Sequence, residues 1–189
     1  MDEAPRCCLH RELTDEQALA IGALMASTWP KPEKDAAYRA ASLIRKGIEK
    51  PRRPELASRS FFLCDGDRVV AHAAMQPREL ATEAGPLWVL GLGAVCTDGE
   101  RRGEGLGARI VEAALAMVDD GLAPFSLFQT SHAVRPFYEK LGCCLVENRI
   151  INSEADDPEA NPFWDEVAMR YPAGPGWPDG VIDLRGPGY

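Results

Sequence analysis

The 189-residue chain reads as an α/β protein, a mixed sheet covered by helices. Three observations carry that reading. Apolar extended runs alternate with amphipathic helical segments, an Asp-Gly-Asp turn joins two of the extended runs, and a glycine-rich turn joins another to a helix. With 46% hydrophobic residues the chain can bury one sizeable core, and a single domain is the simplest division.

Taken in order, Cys7 to Leu13 reads as a short strand. Thr14-Asp15-Glu16-Gln17 follows as a capping box, with Thr14 at the N-cap and Gln17 three residues on, and opens a helix to about Ser27. Trp29-Pro30-Lys31-Pro32 breaks it, and Ala37, Ala40, Ala41, Ile44 and Ile48 resume helical spacing over Glu33 to Glu49. Ser60 to Cys64 and Arg68 to Met75 form a hairpin about Asp65-Gly66-Asp67, with Gly66 as the left-handed turn residue. Leu87 to Cys96 is a buried strand, and Leu106, Ile110, Val111, Ala114, Leu115 and Val118 mark a helix to about Asp120. A strand at Pro124 to Thr130, a helix from His132 to Leu141, and strands at Cys144 to Asn152 and Glu166 to Tyr171 complete the order. The acidic, turn-rich stretch from Ser153 to Pro162 reads as a mobile loop.

The most informative stretch is Arg101-Arg102-Gly103-Glu104-Gly105-Leu106-Gly107-Ala108-Arg109, between the Leu87 strand and its helix. Without a Cβ at Gly103, Gly105 and Gly107 the backbone can turn sharply and approach a ligand, and the first amides of the helix have no intrahelical partner. Together with the helix dipole, those donors suit a phosphate or pyrophosphate. The competing reading is a glycine-rich turn that serves only the chain's own geometry. No Lys-Ser or Lys-Thr pair follows the glycines, which disfavours a nucleoside-triphosphatase loop; the spacing is not Gly-x-Gly-x-x-Gly, which disfavours a dinucleotide fold.

Arg102-Gly103-Glu104-Gly105-Leu106-Gly107 does fit the pattern Arg/Gln-x-x-Gly-x-Gly/Ala, and here the chain resembles the GNAT superfamily, the Gcn5-related N-acetyltransferases. A second block agrees: Phe125 to Thr130 resembles the family's next strand, and Phe137-Tyr138-Glu139-Lys140-Leu141-Gly142 its typical helix ending. The resemblance implies a mostly antiparallel central sheet of about six to seven strands, helices on both faces and a splayed central strand pair, over residues 1–172, with 173–189 as an extension on the same domain or on a partner. It also implies acetyl-coenzyme A as cosubstrate. Arg102, Gly103, Glu104, Gly105, Leu106, Gly107 and Ala108 would hold its pyrophosphate. Ala94, Val95 and Cys96 would line the pantetheine arm, and Ser131, standing where the family often has Asn, would bond it by its hydroxyl. The interval from Val95 to Arg102 is about two residues longer than usual, so Thr97 to Glu100 is expected to bulge at the entrance. The tail's ending resembles those of aminoglycoside 2′-N-acetyltransferase-like members.

The implied reaction is direct acetyl transfer to the primary amine of a small molecule. The departing thiolate needs a proton, and Tyr138, whose phenol normally titrates near ~10, can supply one; its alternative role is packing beside Phe137. Glu79, Glu83, Glu147, His72 and His132 are base candidates by residue type alone, and a lone histidine in an apolar stretch such as His72 is more often a satisfied core residue. Cys96 lacks an adjacent base and reads as a buried structural thiol. The alternatives are a catalytically silent acyl-coenzyme A sensor and a protein or peptide N-acetyltransferase.

Composition narrows the partners. A net charge of −8 argues against nucleic acid and favours cationic substrates. Of the basic clusters, Arg101 to Arg109 can meet phosphates, whereas Lys46 to Arg53 reads as a solvated helix end. Neither Cys7-Cys8 nor Cys143-Cys144 has metal-ligand spacing, so no metal is expected and the six cysteines read as reduced thiols. No apolar run approaches the ~20 residues of a membrane helix, and a soluble cytoplasmic protein is expected. Val181 to Leu184 can add an edge strand, cover a cleft or meet the second copy of a homodimer.

Overall fold

The computed structural model describes residues 4–48 and 53–189. By contacts the chain divides into two compact units, residues 1–76 with 94–116 and residues 77–93 with 117–189.

In the first unit, strand β1 (Arg6–Leu9) pairs antiparallel with β2 (Arg59–Asp65), which pairs antiparallel with the first part of β3 (Arg68–Thr82). The β2–β3 turn is the expected one, with Gly66 at φ +59°. Between β1 and β2 lie helices α1 (Asp15–Thr28) and α2 (Ala36–Ile48). The Thr14 capping box is present in both directions: Gln17 N donates to Thr14 Oγ1 at 3.2 Å and Thr14 N to Gln17 Oε1 at 3.0 Å. Such a cap stabilises a helix start by about 1 kcal/mol. The second helix starts three residues later than its periodicity suggests, because the Asp35 carboxylate accepts from Tyr38 N at 2.8 Å and sets the cap there. Its expected end at Glu49, and Lys50 to Arg52 of the basic cluster, lie outside the described residues. Leu13, Ile21, Leu24, Leu43, Phe62 and Val69 form the unit's core, and Cys96 packs among them. Strand β4 (Gly85–Thr97) ends in this unit, where helix α3 (Leu106–Asp119) also begins.

In the second unit, β3 runs on through Gln76 and Pro77 to Thr82, and a two-residue turn at Glu83 and Ala84 leads into β4. The stretch between the strands expected at Arg68 to Met75 and Leu87 to Cys96 is therefore largely strand, held by fully buried Leu80. Strand β5 (Ser126–Thr130) runs parallel to β4, in register at Leu90↔Ser126 and Gly91↔Leu127. On its other side β5 pairs along its whole length with antiparallel β8 (Val167–Tyr171). The expected helix before Leu141 contracts to α4 (Arg135–Glu139), with Pro136 in its first turn, where a missing N–H costs least. The expected strand from Cys144 to Asn152 splits into β6 (Cys144–Leu145) and β7 (Ile150–Ile151). The tail supplies β9 (Ile182–Asp183), which is parallel to β7 and antiparallel to β3 at Ala81↔Asp183. It is bonded on both sides and so is no edge. Leu80, Val89, Leu127, Ile150, Phe163, Ile182 and Leu184 make this unit's core. Burial of each such side chain contributes about 1.5–3 kcal/mol.

The class is thus a mixed, mostly antiparallel sheet flanked by helices. Among the described residues it has nine strands, three of them only two residues long, which accounts for the excess over six to seven. No helix among the described residues is long and apolar enough to cross a membrane.

Candidate active site

The glycine turn belongs to the first unit. Gly103 and Gly105 stand at φ +87° and +76°, and a Cβ at either would meet nothing within 4 Å, so backbone conformation rather than crowding demands glycine. Gly105 O accepts the first helical bond, from Arg109 N at 3.1 Å. The helix therefore supplies no acceptor for the amides of Leu106, Gly107 and Ala108, which form its first turn. Leu106 is buried and pins the helix start, while Arg102, Gly103, Glu104 and Gly105 are exposed.

Arg101, not Arg102, braces this loop. Its guanidinium bonds Glu104 at 2.6 Å and Asp65 at 3.2 Å, and Arg101 holds the Glu104 carboxyl below its ordinary range. The lengthened stretch ahead of it folds as a single 3₁₀ turn, Gly99–Arg101. Asp98 anchors that turn: its amide donates to Val70 O at 2.9 Å, its carboxylate accepts from Glu100 N at 3.1 Å, and Arg68 pairs with it.

Immediately upstream, Ala94 adopts φ +50°, unusual for a residue with a Cβ. Its carbonyl is held by fully buried His72, whose Nδ1 lies 2.9 Å from Ala94 O and whose Nε2 lies 2.9 Å from Ser60 Oγ. Bonding a carbonyl fixes the proton on Nδ1, so Nε2 accepts from the serine hydroxyl. Burial lowers the His72 pKa to about 4. His72 is thus a neutral strut for the Ala94 backbone and has no free nitrogen for a substrate. Val95 is half-buried and Cys96 buried; burial pushes the Cys96 thiol up to about 12, far from a reactive thiolate.

Tyr138 belongs to the second unit and is only 6% exposed. Phe128 and Phe137 hold its ring, with centroids at 4.6 and 4.9 Å. Burial, followed by the charges of Cys143 and Asp165, raises its pKa, so the phenol keeps its proton at neutral pH. Ser131 Oγ accepts from Val134 N at 3.3 Å and shapes the turn that leads into α4. Of the base candidates in this unit, Glu79 pairs with Arg185 at 3.3 Å, while His132 is exposed and donates its amide to Glu166 at 2.6 Å. Glu147 lines a cavity of about 430 Å³ with Asn148, Arg149, Arg170 and Trp177, which none of the other named residues reaches. Among the described residues no cluster of three or more His, Cys, Asp or Glu could hold a metal ion.

Residues that carried no motif prove to be organised around Gln129 of β5. Its Oε1 accepts from both Trp164 N and Asp165 N at 2.8 Å, and its Nε2 donates to Tyr189 O at 3.2 Å. The Tyr189 ring lies against Gly91, where a Cβ would fall 2.6 Å from ring atoms Cδ2 and Cζ. Arg78 stacks over that ring at 5.3 Å and donates to Pro187 O at 3.0 Å. A glycine within a strand is the one local sign of such an approach.

Solved structures share this fold. A GNAT family N-acetyltransferase from Escherichia coli, YhbS, in complex with CoA, aligns with a TM-score of 0.61 at 16% identity, over 97% of this chain and 92% of that one. An acyl-CoA N-acyltransferase from Pseudomonas aeruginosa aligns with a TM-score of 0.59 at 16% identity, over 88% and 97%. A GNAT-family acetyltransferase structure from Desulfovibrio desulfuricans gives 0.59 at 16%, over 90% and 100%. No curated protein matches the chain. The family model described as an acetyltransferase (GNAT) domain matches residues 10–146. The chain belongs to the GNAT acetyltransferases and is an N-acetyltransferase. The match ends before the tail, and the tail's expected likeness to aminoglycoside 2′-N-acetyltransferases is not shown by these comparisons.

Proposed function

We propose that this chain transfers the acetyl group of acetyl-coenzyme A directly to the primary amine of a small molecule, with residues 1–172 as the acetyltransferase domain. The observation that carries the reading is the turn at Gly103 and Gly105, which opens α3 with no backbone acceptor for the amides of Leu106, Gly107 and Ala108 among the described residues. That cradle fits a pyrophosphate: the donors are backbone groups, the glycines leave open space, and the helix start adds about half a positive charge. Arg102, exposed beside them, adds a cation, and Glu104 is kept from opposing the phosphates by its bond to Arg101.

The cosubstrate supplies an activated acetyl thioester, and the chain's groups manage binding and protons. Backbone at Ala94, Val95 and Cys96, set by the His72 strut, is assigned to the pantetheine arm, as is the Ser131 hydroxyl. Tyr138, protonated at neutral pH, is the donor to the departing sulfur. Cys96, buried and with its thiol pushed up to about 12, takes no covalent part in the transfer. Positioning both reactants supplies much of the rate.

Calorimetry with acetyl-coenzyme A, followed by a coenzyme-release screen of aminoglycosides, polyamines, amino acids and peptides, tests the proposal. Tyr138→Phe is expected to lower kcat by ~10²-fold or more with coenzyme affinity unchanged. No heat with acetyl-coenzyme A, or undiminished turnover in Tyr138→Phe, would overturn the respective assignment. Binding without release for any amine would point to a silent sensor.

A further inference from the structure

Within the first unit, strand β3 holds both ends of the short segment from Ala94 to Asp98. At the far end Asp98 N donates to Val70 O at 2.9 Å, and Arg68 pairs with the Asp98 carboxylate. At the near end, two residues along β3 from Val70, His72 Nδ1 donates to Ala94 O at 2.9 Å while its Nε2 accepts from Ser60 Oγ of β2 at 2.9 Å. His72 and Ser60 are both fully buried, where an apolar pair would fill the same space without losing hydration. The carbonyl they hold belongs to Ala94, at φ +50°. A left-handed conformation is uphill for a residue with a Cβ and persists only where its surroundings enforce it. The peptide that follows Ala94 is trans, so with its oxygen fixed on His72 its N–H, that of Val95, is directed away from His72.

We infer that Ser60 and His72 are positioning residues for the arm of the coenzyme, acting through the Ala94 peptide without touching the ligand themselves. The inference rests on the coenzyme reading above, in which backbone at Ala94, Val95 and Cys96 meets the pantetheine arm, and deepens it by naming the side chains that impose that backbone's shape. Ser60 donates to Nε2 and so keeps the His72 proton on Nδ1; the Nδ1 proton holds Ala94 O, and Ala94 is thereby kept from relaxing to an extended conformation. The pyrophosphate turn is braced by a different set, Arg101 with Glu104 and Asp65. Recognition of the arm and of the pyrophosphate should therefore be separable by mutation.

The test is calorimetric titration of the full chain with two ligands, acetyl-coenzyme A and 3′-phosphoadenosine 5′-diphosphate, which keeps the pyrophosphate and lacks the arm. His72→Leu should weaken acetyl-coenzyme A about tenfold, the size of a lost buried hydrogen bond, and leave the armless nucleotide unchanged. His72→Gln, which can still donate to the carbonyl, should restore most of the affinity, and Ser60→Ala should weaken acetyl-coenzyme A alone by about threefold. Adding Ala94→Gly to His72→Leu should recover affinity, because glycine reaches positive φ without a strut; a role confined to stability would give no such recovery. Equal weakening of both ligands, wild-type affinity for acetyl-coenzyme A in folded His72→Leu, or no recovery on adding Ala94→Gly would overturn the inference. Should His72→Leu not fold, Ser60→Ala decides with the same two ligands: a loss confined to acetyl-coenzyme A supports the positioning role, and no loss, or loss of both, refutes it. A wild type that binds neither ligand would sink the proposed function and this inference together, whereas binding by the wild type with unselective variants sinks the inference alone.

Discussion

Gly91→Ala offers a sharp test of how the tail is seated. In a strand interior alanine normally stabilises by about 0.5–1 kcal/mol relative to glycine. Here the added methyl carbon would lie 2.6 Å from two atoms of the Tyr189 ring, well inside the ~3.5–4.0 Å of ordinary carbon contacts, so the ring must leave. Its departure forfeits the edge contact with Phe163, about 0.5–1.5 kcal/mol, and the stacking of Arg78, about 0.5–1 kcal/mol. The Gln129 to Tyr189 hydrogen bond adds about 1 kcal/mol more. The losses total about 2–3.5 kcal/mol, and after the strand gain the net destabilisation is about 1–3 kcal/mol. In a Tyr189→Ala background the obstacle is gone, and the same Gly91→Ala change should stabilise by about 0.5–1 kcal/mol. Urea unfolding of the wild type, both single variants and the double variant measures the coupling. A change of sign supports the seat; the same effect of Gly91→Ala in both backgrounds, within about 0.5 kcal/mol, would refute it.

Two further outcomes follow from buried titratable groups. Burial lowers the pKa of both His72 and His10 from 6.5 to about 4, so the folded chain binds fewer protons than the unfolded chain between those values. Stability should be full above pH 6.5 and fall as pH drops toward 4, by about 1.4 kcal/mol per pH unit for each proton; His72→Gln should reduce that slope in pH-dependent unfolding, and an unchanged slope would contradict the assignment. Cys96→Ala should keep turnover within about threefold, and intact-mass measurement of the wild type under acetyl-coenzyme A should show no acetyl adduct, because a thiol pushed up to about 12 is not a nucleophile at neutral pH; loss of activity with an adduct in the wild type would reverse that conclusion.

The features legible in the sequence were those whose cause is local. Thr14 and Gln17 cap the same helix end three residues apart, Gly66 turns the chain between two strands it adjoins, and Gly103 and Gly105 shape the few residues around them. The base candidates were less legible. His72 as a strut depends on partners 12 and 22 residues away, and nothing near it in the chain marks them. The strand past Pro77 was hidden because a proline signals a break locally, while the buried side chain of Leu80 beyond it favours continuation.

The class of fold, the membership of the family and the glycine turn that suits a pyrophosphate follow from the order of residues, because periodicity, caps and positive-φ positions are decided over a handful of neighbouring residues. Three-dimensional packing alone pairs the tail as a strand on both sides, brings Arg78 to Pro187 across 109 residues, and makes Gln129 gather Trp164, Asp165 and Tyr189. Contacts of that separation come from burial and hydrogen-bond satisfaction of the whole unit. A side-chain amide on a strand carries no mark in its own neighbourhood of the backbone it will hold.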